Sequence, residues 1–157
     1  MKTLKIVSVL CLVLFVSSCK QDDCLDWKAQ NELWLQENAK REGVVTTPTG
    51  LQYERMCDGL FPNNRPDNAK IVNVTYRGQL INGYEFSSAD STTLYVSDLI
   101  PGLVEGLKKM TEFSIYKFYI PYQLGYGKKG TGIEGNSSYI PPYSTLIFYV
   151  ELNDIPE

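Results

Sequence analysis

The stretch that most limits what this chain can fold into is residues 70–80, where polarity alternates strictly. Val72, Val74 and Tyr76 fall on one side, and Asn73, Thr75 and Arg77 on the other. Period-two order of this kind describes a strand with one face on a core and the other on water. Asn82-Gly83 comes next, the favoured dipeptide of a two-residue type I′ hairpin, and leads into Tyr84-Glu85-Phe86. An antiparallel pair is therefore specified locally, and the rest of the chain must complete its sheet. Residues 114–120 (SIYKFYI) and 144–152 (STLIFYVEL) supply two more strands, the last with Leu146, Phe148, Val150 and Leu152 on one face. Between the hairpin and these strands, Leu103, Leu107 and Met110 recur at i, i+4 and i+7 after Pro101-Gly102, which predicts one short helix. The expected class is α+β, an antiparallel sheet with a short helix packed on it.

A second helix is expected ahead of the sheet. Residues 25–42 (LDWKAQNELWLQENAKRE) lack Gly and Pro and are rich in helix formers, and Gly43 is a good stop. Trp27 and Trp34 lie seven apart and Ala29 and Leu33 four apart, spacings that place each pair on one face. Two roles fit: a packing element covering an edge of the domain, or a dimer arm, for which eighteen or so residues make only a weak coiled coil.

The extreme N-terminus reads differently. Lys2 and Lys5 precede an eleven-residue apolar run, Ile6 to Val16, too short for a ~20-residue membrane span but right for a signal-peptide core. The run ends in Val16-Ser17-Ser18-Cys19, which resembles a bacterial lipobox, with Cys19 lipidated and becoming the mature N-terminus. The plainer alternative is an ordinary signal peptide with a chance cysteine. On the lipobox reading, residues 1–18 are a lipoprotein signal peptide. Residues 19–43 are then the lipidated cysteine, a polar tether (20–24) and the helix, and 44–157 the folded domain. Removing 1–18 takes two of the fifteen basic residues and moves the net charge from −3 to −5. Several acyl chains at one terminus anchor stably where one is marginal. The expected location is the bacterial cell envelope, the outer membrane favoured over the inner, facing periplasm or surface. Of the four cysteines, Cys11 leaves with the signal, so Cys24 and Cys57 form the one candidate disulfide, in a compartment where a disulfide persists.

Composition excludes several chemistries. There is no histidine, which rules out Ser–His–Asp and Cys–His catalysis and His-ligated metal. A net negative chain does not suit nucleic-acid binding through a basic surface. With 43% apolar and 21% charged residues the chain is globular, and no metal or cofactor is expected. Gly130-Thr-Gly132-Ile-Glu-Gly135 has the form of a dinucleotide fingerprint, but Pro141 and Pro142 stand where a helix would have to begin, so a flexible loop is expected.

Four strings, taken in order, carry a resemblance. They are Val74-Thr-Tyr76-Arg-Gly78-Gln-Leu80-Ile-Asn-Gly83-Tyr-Glu-Phe86-Ser-Ser88, Leu99-Ile-Pro-Gly-Leu103-Val-Glu-Gly106-Leu-Lys-Lys-Met110, Ile120-Pro-Tyr-Gln-Leu-Gly-Tyr126-Gly127 and Ile140-Pro-Pro-Tyr-Ser-Thr-Leu-Ile-Phe148-Tyr-Val-Glu-Leu152. They resemble the FK506-binding-protein (FKBP) class of peptidyl-prolyl isomerases over about residues 50–155. The resemblance implies a curved sheet wrapped around the short helix, with the pocket between them. It implies catalytic roles for Tyr126, Ile100, Phe148 and Tyr76, and substrate contacts from Phe86, Leu99, Leu103, Tyr139 and Ile140. In the class, the backbone N–H at the Ile100 position and the hydroxyl at the Tyr126 position each hold a substrate carbonyl.

This chain departs from the class pattern at Ser87, where an aspartate is usual, and at Leu103, where tryptophan is usual; there is no arginine between Ser88 and Leu107. Two functions fit: a monomeric, lipid-anchored isomerase acting on X-Pro bonds of envelope proteins without a covalent intermediate, or a module that binds proline-containing segments without turnover.

Overall fold

The structure, a computed structural model, describes residues 19–61, 63–67 and 71–156. The signal peptide expected over 1–18 and the side chains of Cys19 and Cys24 lie outside what it describes. Helix α1 (Cys19–Asn38) leads through the short β1 (Val45–Thr46) to β2 (Gln52–Cys57), β3 (Ile71–Leu80) and β4 (Glu85–Tyr95). Helix α2 (Pro101–Leu107), β5 (Ile115–Ile120) and β6 (Leu146–Asp154) complete the chain. The six strands form one antiparallel sheet in the order β1-β2-β5-β6-β3-β4.

The register explains the alternation seen in the sequence. Val74 lies opposite Leu152, Tyr76 opposite Val150, Gly78 opposite Phe148 and Leu80 opposite Leu146, so one face of both central strands is apolar and turned to α2. The hairpin is present, but its turn is not type I′. Gly83 has φ +85 while Asn82 does not enter the left-handed region, and the Gly83 N–H bonds to the Leu80 carbonyl at 2.9 Å. Ile81 joins the loop, giving a type I turn closed by a glycine bulge.

Helix α2 lies directly on β5 because two of its residues have no side chain. A Cβ on Gly102 would stand 2.4 Å from Ile120 Cγ2, and one on Gly106 would stand 2.7 Å from Phe118 Cε1. The helix ends at Leu107, earlier than its periodicity suggests, yet Met110 in the next turn is fully buried.

Helix α1 begins and ends earlier than expected. Residues 20–24, expected as a tether, are helical; they contain no Gly or Pro to break the helix. Ala29 and Leu33 face solvent. The inward stripe is Trp27, Asn31, Trp34 and Asn38, and both asparagines are buried with partners, as buried polar groups must be. Asn38 Nδ2 donates to Gln52 Oε1 at 2.8 Å, and Trp34 packs on Tyr119 with ring centroids 5.5 Å apart. On this face the helix is a packing element.

The Cys24–Cys57 bridge is not formed. Cys57 is a free, exposed thiol. Register gives the reason: Trp27, one turn from Cys24, bonds to Ser144 just before β6, whereas Cys57 pairs with Ile115 at the opposite end of the strands. Six rungs of strand, roughly 20 Å, separate the two ends, far beyond the ~7 Å Cα separation that a disulfide spans.

One buried phenol ties the helix end to the sheet. Tyr119 is fully buried and its hydroxyl donates to Glu54 Oε2, while Arg41 reaches Tyr119 Oη at 3.2 Å and Glu54 Oε1 at 3.1 Å. Burial, with the Glu54 hydrogen bond second, pushes the Tyr119 phenol up to about 12. An acid raised on folding stabilises the fold fully below its unfolded value of about 10 and loses that contribution as pH rises through the folded one. The urea midpoint should therefore hold steady from pH 8 to about 10 and fall between about 10 and 12, less steeply in Tyr119→Phe. An equal fall in both proteins would contradict this assignment.

Candidate active site

Helix α2 and the apolar face of β3, β4 and β6 enclose a cavity of about 440 Å³. Its floor is aromatic. Phe148 on β6 meets Phe86 on β4 edge to face at 5.6 Å and 80°, and Tyr76 on β3 lies 6.1 Å from Phe148. The rings come this close because Gly78 lies beneath them: a Cβ there would stand 2.8 Å from Phe86 and 2.9 Å from Phe148. Leu99, Ile100 and Leu103, from the entry to α2, form the facing wall.

Two donors lie along the lining. Ile100 precedes the first turn of α2 at φ −59 and ψ 148, and among the described residues its N–H meets no protein acceptor. Tyr126 comes after a 3₁₀ turn (Tyr122–Leu124) and is anchored by the next residue, whose N–H bonds to the Tyr122 carbonyl at 2.8 Å. Burial, with Tyr76 second, raises the Tyr126 phenol, so its hydroxyl stays protonated through the neutral range. Ser87 takes up the place left by the usual aspartate: its Oγ and Tyr76 Oη share a hydrogen bond of 3.0 Å, so Tyr76 is held without a carboxylate.

The structure brings eight of the nine expected pocket residues together: Tyr76, Phe86, Leu99, Ile100, Leu103, Tyr126, Ile140 and Phe148. Tyr139 is not in the lining. Its neighbour Ile140 is the one turned inward, 2% exposed, because its N–H and carbonyl pair with Thr131 at 2.9 and 3.0 Å and fix the strand-like alternation. That bridge also gives the loop 128–139 more order than expected. Gly130 permits it, since a Cβ there would meet the Ile140 carbonyl oxygen at 2.1 Å. Leu94, Asp98, Thr131, Gly132 and Ser138 also line the cavity. Of these, Leu94 is legible as an apolar strand residue, while Asp98 and the loop residues carry no sequence signal. Among the described residues Asp98 is the one charged side chain in the lining.

The profile of the FKBP-type peptidyl-prolyl cis-trans isomerase family matches residues 63–153. The chain belongs to that family. The domain found amino-terminal to FKBP-type isomerases matches residues 17–54, the region of α1 to β2. Among curated FKBP relatives, the 22 kDa isomerase of Escherichia coli is 38% identical over 81% of this chain and 60% of its own length. The protein named outer membrane protein MIP of Legionella longbeachae is 34% identical over 80% of this chain and 52% of its own. The crystal structure of FkpA from Escherichia coli superposes with a TM-score of 0.77 at 36% identity, covering 85% of this chain and 61% of that one. The chain thus spans between about half and three-fifths of the length of these FKBP relatives.

Gly78 offers a direct check on the ring floor. Gly78→Ala should cost ~1–3 kcal/mol, the usual penalty for overpacking, and lower the thermal midpoint. An unchanged midpoint would contradict the contact between backbone and rings.

Proposed function

We propose that the chain is a monomeric peptidyl-prolyl cis–trans isomerase of the bacterial cell envelope, acting on proline-containing polypeptide segments and anchored through acylated Cys19. The observation that carries the activity is the cavity itself: an aromatic floor with an open amide donor at Ile100 and a protonated hydroxyl at Tyr126.

The chemistry asks for little else. Resonance gives an X-Pro amide a rotation barrier of ~18–20 kcal/mol and exchange times of tens of seconds or more. The planar amide is the more dipolar state, so a dry pocket disfavours it relative to the twisted one, provided the flanking carbonyls are held. Reaching ~10²–10³ turnovers per second requires a factor of about 10⁴–10⁵, or roughly 5.5–7 kcal/mol. Phe148 and Phe86 supply the apolar surface. Ile100 N–H and Tyr126 Oη hold substrate carbonyls, Tyr76 is kept in place by Ser87, and Leu99, Leu103 and Ile140 shape the walls. No nucleophile or acid–base group enters, which suits a chain without histidine.

The purified chain should accelerate cis–trans exchange of short X-Pro peptides at micromolar concentration. Tyr126→Phe, which keeps the ring and removes one hydroxyl worth ~0.5–1.5 kcal/mol, should lower kcat/KM by roughly two- to tenfold. Peptide binding without acceleration would make the chain a proline-binding module instead.

The envelope location rests on the apolar run before Val16-Ser17-Ser18-Cys19, and the name of the Legionella relative agrees with it. Cells grown with a clickable fatty acid should label the wild-type chain and not Cys19→Ala. Equal labelling, or none in either, would end the lipid-anchor proposal.

A further inference from the structure

We propose that α1 braces one wall of the cavity, with Trp27 and Asn31 as positioning residues for Ile140; this rests on the cavity being the isomerase site. Ile140 is held toward the cavity side by its bridge to Thr131. The segment after it, residues 141–145, is poorly equipped to hold itself. Pro141 and Pro142 have no N–H, so these residues cannot bond along a neighbour as a strand does. Tyr143 takes φ +63, a left-handed conformation that is strained for an aromatic residue. Thr145 is fully buried, yet its Oγ1 finds no partner among the described residues. A segment with strained backbone and an unsatisfied buried hydroxyl stays put only if something outside it fixes it.

The turn at 122–127 supplies part of that support, with the Tyr143 N–H on the Gly127 carbonyl at 3.1 Å and the Tyr143 ring edge-on to Tyr122. The rest comes from α1, more than a hundred residues earlier in the chain. Trp27 Nε1–H donates to Ser144 Oγ at 3.0 Å, and the same hydroxyl donates to the Pro141 carbonyl at 2.8 Å. Asn31, 1% exposed, accepts the Thr145 N–H at 2.7 Å and donates to its own helix at the Trp27 carbonyl, also 2.7 Å. Lys28 Nζ lies 5.7 Å from the Tyr143 ring. One helix face thus meets Tyr143, Ser144 and Thr145 in turn, and through Ser144 it reaches the residue next to Ile140. This accounts for the polar Asn31 in the inward stripe. An apolar residue there would bury the face but leave the Thr145 N–H without an acceptor.

The brace predicts local loosening when α1 lets go. Hydrogen exchange is measured by peptide across the full chain, together with kcat and KM on an X-Pro peptide. Trp27→Phe keeps an aromatic ring and removes the donor, whereas Ser144→Ala removes both bonds of the hydroxyl and Ser144→Thr keeps a hydroxyl in place. In Trp27→Phe and Ser144→Ala, exchange across residues 131–145 should rise about tenfold or more while β3 and β4 stay unchanged. KM should rise several-fold with kcat nearly constant, and Ser144→Thr should recover most of it. Exchange unchanged in 131–145, or raised evenly over the whole sheet, would overturn the brace. If the wild type proves inactive, the isomerase reading falls, and the exchange pattern still decides whether the brace exists.

Discussion

Everything in this fold depends on how closely α2 can approach β5. With Gly102 set against Ile120 and Gly106 against Phe118, the helix backbone rests on sheet side chains at distances no Cβ would allow. A seven-residue helix has little stability of its own, so it exists because of this contact. The approach also decides where empty space is left. The helix meets β5, and its entry residues Leu99, Ile100 and Leu103 stand off from β3, β4 and β6, across which the cavity opens. Gly78 does for the floor what the helix glycines do for the wall, letting Phe86 and Phe148 settle onto the strand. The site is thus a packing feature with two hydrogen-bond donors in it.

The same logic explains how the chain tolerates its departures from the class pattern. Ser87 supplies one hydrogen bond to Tyr76 where a charged group would supply a stronger one. On the isomerase reading the floor needs Tyr76 held in place, and this bond holds it without a charge. Leu103 in place of tryptophan leaves a shallower wall but an equally apolar one.

Strands β3 and β6 and helix α2 are legible because each shows one apolar face at the period of its element: Val72 to Leu80 and Leu146 to Leu152 at two, Leu103 to Met110 near 3.6. Strands β1 and β2, largely exposed, show no such period and go unread in the sequence. With the four strings matched to a family, eight pocket residues come into view. The illegible parts depend on contacts distant in sequence. The inward face of α1 is carried by Asn31 and Asn38, whose value lies in specific partners at Thr145 and Gln52, so hydrophobic spacing points instead to Ala29 and Leu33, which are exposed. Tyr139 and Ile140 differ in role because of a single bridge to Thr131. Compartment and count pair Cys24 with Cys57, but helix direction and strand register put them at opposite ends.

On the isomerase reading, rate enhancement comes from a dry, shaped pocket and two donated hydrogen bonds, with no proton changing hands. The most direct test is kcat/KM for an X-Pro peptide between pH 6 and 9, in water and in deuterium oxide. Because burial raises the Tyr126 phenol, its hydroxyl remains a donor across that range, so the profile should be flat and the solvent isotope ratio close to one. A bell-shaped profile, or an isotope effect of roughly twofold or more, would mean general acid–base catalysis and would contradict that reading.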